Sequence, residues 1–116
     1  MGKLEMSGTN TLTAESIDKV ITKKSAGNYA FGYVEDKTFY VKYVGRSDVN
    51  LNDRIKHGID NYKSFKFSYA NSPEDAFEKE CKNYHDFGED KKLDNEIHPQ
   101  RPANTDYLCP ICTIFD

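Results

Sequence analysis

The chain has no tryptophan and only three cysteines in 116 residues, and hydrophobic residues make up 37% of it. Whatever core it builds must lean on eight tyrosines and seven phenylalanines. No apolar run approaches the roughly 20 residues that cross a bilayer, and Met1 is not followed by a charged-then-apolar leader. A membrane or secreted protein is therefore not expected, and a cytoplasmic location is the default expectation. Net positive charge is missing as well. The formal charge of −3 argues against a protein that coats nucleic acid by bulk electrostatics. No internal repeat or second domain is visible, and the length suits one domain with a modest core.

What charge there is lies unevenly. Residues 37–66 carry seven Lys/Arg against three Asp, whereas residues 72–116 carry five against eleven acids. A basic half beside an acidic half suits a phosphodiester substrate together with a divalent cation. Taken alone, the same counts describe ordinary solvated surface.

Residues 1–10 are rich in Gly, Ser, Thr and Asn without periodicity and read as a flexible leader, leaving 11–116 as a single domain. The spacing predicts a helix over 14–24, capped by Thr13, with Ile17, Val20 and Ile21 on one face. Residues 29–34 and 38–44 are aromatic or β-branched and predict a hairpin turning at Glu35-Asp36-Lys37. Alternation puts Tyr29, Phe31 and Tyr33 on one face of its first strand and Phe39, Val41 and Tyr43 on one face of the second. With simple pairing, both Tyr29 and Tyr43 are expected to point to the same surface. Taken alone, such aromatics are ordinary strand packing. A helix over 51–62 follows, capped by Asn50 or Ser47 and buried along Leu51, Ile55 and Ile59. Residues 65–69 alternate as a third strand, and Ser72-Pro73 opens a helix that runs to about His85 or Phe87 before Gly88 ends it. The expected fold class is α/β (α+β), a three-stranded antiparallel sheet flanked by helices.

Certain residues in this frame form a set: Gly27-Asn28-Tyr29, then Tyr43-Val44-Gly45-Arg46-Ser47, then Leu51, Arg54 and His57, then Ala76 and Glu80, then Asn95. In order and spacing this set resembles the GIY-YIG nuclease superfamily over roughly residues 26–99. The resemblance implies a metal-dependent endonuclease acting on DNA. Glu80 would ligate a single Mg2+ or Mn2+ that keeps most of its waters. Tyr29 or Tyr43 would position or deprotonate the attacking water, Arg54 would hold the scissile phosphate by paired hydrogen bonds, and Asn95 would help to hold the metal region together. His57, three positions past Arg54, is a further catalytic candidate. Lys42 and Arg46 are candidates for phosphate contact on local charge alone. A phenol, with an ordinary pKa of about 10, serves as a base only if nearby cations lower it, and the basic cluster around Arg54 is the expected cause. Because specificity in this family often comes from appended domains, a partner protein is implied for so short a chain.

The cysteines make a second pattern. Cys109-Pro110-Ile111-Cys112 is a knuckle with two intervening residues, and Cys81 and His85 fall at i, i+4 on one helical face. Cys81, His85, Cys109 and Cys112 could converge on one structural Zn2+ that staples the C-terminal tail to the helix of Glu80, with His98 as an alternative nitrogen ligand. The competing readings are a buried hydrophobic Cys81 and a redox pair or chance knuckle. Adjacent helical residues point about 100° apart, so this group is expected to be separate from the centre at Glu80. Besides the nuclease, two other functions stay open: a nucleic-acid-binding module of the same fold that does not cut, and a zinc-stapled interaction domain.

Overall fold

In the computed structural model, which describes residues 6–102 and 104–114, the chain begins with β1 (Ser7–Thr11) and α1 (Ala14–Val20). Thr13 caps α1 as its position suggests, its hydroxyl accepting from the Ser16 N–H at 3.1 Å. The helix stops short of the expected residue 24 because tertiary bonds claim the next segment. The Thr22 and Lys23 N–H groups donate to the Tyr69 hydroxyl, and the Ser25 and Ala26 carbonyls accept from Leu51 and Ala70.

The hairpin follows as β2 (Gly27–Glu35) and β3 (Thr38–Ser47). Asp36 and Lys37, with φ of 51° and 66°, make the two-residue turn whose twist matches paired strands. Pairing is regular from Glu35↔Thr38 to Gly32↔Val41 and then slips, so that Phe31 faces Tyr43 and Lys42 is the extra residue of a β-bulge. The expected common face of Phe39, Val41 and Tyr43 is therefore corrected. Phe39 and Val41 pack with Ala30 and Val44, while Tyr43 joins Tyr29 and Phe31 on the other side of the sheet.

After the hairpin come α2 (Leu51–Lys56), β4 (Ser64–Tyr69), α3 (Pro73–Asp86) and the short α4 (Glu89–Lys92). Asn50 caps α2, and Leu51 and Ile55 are buried as expected. The helix ends six residues before residue 62 because i→i−3 bonds from His57, Gly58 and Ile59 tighten the chain. Ser72 caps α3 with Pro73 in its first turn, as the sequence predicts.

The sheet has four strands rather than three, all antiparallel, in the order β1-β4-β2-β3. One face is covered by α1 and α2 around Ile17, Phe31, Leu51, Ile55 and Phe65. The other face meets α3 through Ala30, Val44 and Tyr84. The chain is thus an α+β fold with helices on both faces of a small sheet. Among the described residues, no helix is long and apolar enough to cross a membrane.

The fourth strand comes from residues 7–10, which the sequence alone assigns to the leader. It pairs Asn10 with Phe65 and Thr11 with Ser64, so that β4 becomes an interior strand. Its polar side chains carry no alternating pattern, and the pairing rests on backbone bonds that hydropathy does not reveal. Removing residues 1–10 should lower stability by about 1–3 kcal/mol, or several degrees in Tm, through lost ladder bonds and an exposed β4 edge. A dispensable leader would leave the thermal melt unchanged.

Candidate functional site

The bulge at Lys42 and the turn after β3 create an open cleft of 420 Å³ at one end of the hairpin. Tyr29 and Tyr43 line it from β2 and β3, Arg46 from the end of β3, Arg54 from α2 and Glu80 from α3. Residues that lie far apart in sequence are thus gathered on one wall and floor. The two tyrosine rings are stacked, 6.5 Å between centroids and 16° between planes. Gly45 sits directly opposite Tyr29 in the ladder, and a Cβ there would run into the phenol ring. The glycine of the second motif therefore makes room for the tyrosine of the first.

Glu80 is buried, and its Oε1 accepts from Arg46 Nη1 at 2.5 Å. Arg46 also donates from Nε to Asp48 at 3.0 Å, and its guanidinium lies 5.2 Å from the centre of the Phe77 ring. Arg46 is a phosphate-contact candidate that the structure also ties to two carboxylates. Burial raises the Glu80 carboxyl above its ordinary range, and the Arg46 charge offsets this only in part. Asn95 is buried and grips the outer edge of β3: its Nδ2 donates to the Val44 carbonyl at 2.8 Å and its Oδ1 accepts from the Val44 N–H at 3.0 Å. Its amide is thereby committed to backbone beside the tyrosines.

The tyrosines do not carry lowered pKa values. Burial pushes Tyr29 up to about 12, against the hydrogen bond to Arg54, and burial with the Glu80 charge raises Tyr43. The expected effect of the basic cluster is present but outweighed by desolvation. Two other candidates lie outside the lining of the Glu80 cleft. Lys42 is the bulged residue and does not line the cleft, while its carbonyl accepts from the Asp94 N–H at 2.6 Å. His57, the C-cap of α2, lines a neighbouring 340 Å³ cavity that shares Tyr29, Tyr43 and Arg54 with the cleft but does not include Glu80.

A second constellation stands beside the cleft. His85, His98, Cys109 and Cys112 present one ligand atom each, all within 4.8 Å of one another, a group that could hold a metal such as zinc. This corrects the expected ligand set in one member. Cys81 is buried against Phe77 and Cys109 and lies outside the group, while His98 joins His85 instead of replacing it. At Cys109 burial acts to raise the thiol, but N–H bonds from Ile111 and Cys112 and contacts with His98 and Cys112 bring it down to about 6. All three cysteines are free thiols.

Sequence reasoning missed several neighbours. Asp48 and Glu89 pair with Arg46 and His85, and both were within reach of local spacing, at i+2 and i+4. Tyr62 stacks on Phe31 at 5.2 Å and donates to Asp94 at 2.8 Å. The far wall of the cleft, made by Ile97 to Arg101, carries no motif that would have announced it.

Two outcomes follow from this geometry. Asn95→Ala should cost about 2–4 kcal/mol in urea unfolding, because the Val44 N–H and C=O both lose their partner. An unchanged midpoint would remove Asn95 from its structural role. For Tyr29, the folded chain keeps between pH 10 and 12 a proton that the unfolded chain releases, so stability falls as pH rises through that window. Tyr29→Phe should therefore flatten the loss by about 1 kcal/mol at pH 11, read from urea midpoints at pH 9 and 11. An identical pH slope in both proteins would contradict the shift.

No family model, curated protein or solved structure matches the chain.

Proposed function

We propose that the cleft hydrolyses phosphodiester bonds in nucleic acid, DNA in the first instance, with Mg2+ or Mn2+ at Glu80. The observation that supports this reading is the gathering of Tyr29, Tyr43, Arg46, Arg54 and Glu80 around one open cleft from four separate elements. A merely structural domain has little use for so many polar groups facing one space.

The donor set fits a hard divalent cation. Among the described residues, the carboxylates lining the cleft are Asp48 and Glu80, and an open cleft leaves room for the waters such ions retain. When bound, the cation supplies charge neutralisation on the phosphate and activation of water. Arg54, exposed at the rim and hydrogen-bonded to Tyr29, offers a guanidinium to a phosphate by paired donors. Tyr29 keeps its proton at neutral pH and so orients the water as a hydrogen-bonding group rather than as a phenolate. Tyr43, half-buried and stacked beside Tyr29, faces the same space. Arg46 and a cation would compete for Glu80 Oε1, and an Arg46 freed from Glu80 would be available to a substrate phosphate. A partner protein that selects the substrate remains part of the proposal.

The Arg46–Glu80 contact also favours a second reading, a binding module that does not cut, if the guanidinium holds the carboxylate against every cation. The test is to incubate the protein with labelled duplex, single-stranded and branched DNA in Mg2+ or Mn2+. Cleavage should vanish with EDTA and fall by at least about 100-fold in Glu80→Ala, the scale of losing a group that stabilises transition-state charge. Arg46→Ala should tighten Mn2+ binding while weakening DNA binding. Salt-dependent DNA binding without cleavage by the wild-type protein would select the second reading, and neither binding nor cleavage would end both.

A further inference from the structure

We propose that His85, His98, Cys109 and Cys112 bind one Zn2+ in a closed tetrahedral site, and that this ion fixes residues 96–101, the segment that includes the far wall of the cleft. The proposal does not depend on the nuclease reading.

The geometry of the four donors is the first ground. A zinc tetrahedron with bonds of about 2.0–2.3 Å has edges of about 3.3–3.8 Å. Cys112 Sγ already lies 3.4 Å from His98 Nε2, and all four ligand atoms lie within 4.8 Å of one another. Closing the set needs movements of about 1 Å or less in side chains that share one neighbourhood.

The tautomers are the second ground. His85 Nδ1 meets Glu89 Oε2 at 2.6 Å, and His98 Nδ1 meets the Pro99 carbonyl at 2.8 Å. Oxygens of these kinds accept, so each Nδ1 is the donor, and in the neutral ring Nε2 is the nitrogen left to coordinate. This is the outer-shell arrangement that orients histidine toward a metal. His85 Nε2 is buried with no hydrogen-bond partner, an acceptor whose burial is costly unless something binds it. Gly88, at φ 103°, makes the turn after α3 that brings Glu89 back onto His85.

The sulfur side matches. Backbone N–H groups of Ile111 and Cys112 point at Cys109, the Ile114 N–H points at Cys112, and the Cys81 thiol is a hydrogen-bond partner of Cys109. Cys81 thus stands behind the ligand set as a support. Two thiolates and two imidazoles satisfy zinc fully and leave no open position, which makes the site structural rather than catalytic. The consequence for the cleft follows from His98. It is a member of the donor set and a lining residue of the cleft, flanked there by Ile97, Pro99 and Arg101. An ion at His98 would therefore hold that wall from its middle, between the Asn95 clasp on one side and Cys109 on the other.

The test begins with the full chain purified from zinc-replete medium and its metal measured by mass spectrometry. One zinc per chain is expected, with Co2+ replacement giving the intense visible bands of a tetrahedral thiolate site. Cys112→Ser and His98→Ala should retain less than a fifth of the metal, whereas Cys81→Ser should keep it. Because a ligand variant can fail to fold, zinc is also stripped from the wild-type protein with a chelator and restored. Far-ultraviolet circular dichroism should keep its sheet signal throughout, while hydrogen exchange of the amides of 96–101 slows at least tenfold on zinc loading. Absence of stoichiometric zinc, octahedral cobalt spectra, or zinc loss in a folded Cys81→Ser protein would overturn the site. Exchange at 96–101 that ignores zinc would overturn its link to the cleft.

Discussion

The candidate site depends on a single extra residue. In a two-residue hairpin that pairs Glu35 with Thr38, uninterrupted pairing would set Phe31 opposite Lys42 and Ala30 opposite Tyr43. Residues directly opposite one another share a face, so Tyr43 would then join Ala30 on the α3 side of the sheet, away from Tyr29. The bulge at Lys42 shifts the ladder by one and turns every later β3 side chain over. Tyr43 comes to the face of Tyr29 and Phe31, Gly45 comes under the Tyr29 ring, and Val44 goes into the opposite core. The same residue that makes this possible loses its own place in the site.

A bulge weakens pairing locally, and the edge strand that carries it needs cover. The segment after α4 supplies it. The Asp94 N–H bonds the Lys42 carbonyl, Tyr62 ties down the Asp94 carboxylate, and Asn95 satisfies both backbone groups of Val44. These bonds close the outer edge of β3 where it would otherwise invite another strand. They also fix the stretch between the bulge and Gly45, so the distance between the tyrosines is set by buried backbone bonds rather than by aromatic packing alone.

The sequence made the helix starts, the turn at Asp36-Lys37 and the alternation of each single strand legible, because capping, turn chemistry and period are local. Helix ends were less so: residues 21–24 and 57–62 are claimed by long-range or i→i−3 bonds that no local signal records. The common face of Tyr29 and Tyr43 came out as expected, but for a reason opposite to the one expected, since simple pairing would have parted them. Tyr29, Tyr43, Arg54, Glu80 and Asn95, chosen by motif spacing, border one cleft, as does Arg46, chosen by charge alone, whereas His57 and Lys42 do not. Charge counts ignore which way a side chain points. The metal group was legible in its chemistry and not in its full membership, because helical spacing put Cys81 and His85 together while the tail's path decides which side chains it meets.

That last point turns on α3, which is buried on more of its circumference than an amphipathic helix needs. Ala76, Phe77, Glu80, Cys81, Asn83 and Tyr84 are all buried. The first turn is anchored to the sheet by the Asn28 amide, which donates to the Ala76 carbonyl at 2.8 Å. Further along, Glu80 looks into the cleft, Cys81 and Phe77 look toward the tail, and Tyr84 returns to the sheet. Each successive residue turns by about 100°, so one rigid rod presents a hard carboxylate in one direction and packs the soft thiols of the tail in another. The oxygen donor of the cleft and the sulfur donors of the tail are thereby kept to separate sides. His85, one turn beyond Cys81, lies with His98, Cys109 and Cys112 of the tail, and the chain after Asp86 doubles back at Gly88, which places Glu89 against the His85 ring. The orientation of a single helix therefore determines both where charge is buried beside the cleft and where the tail can be fastened.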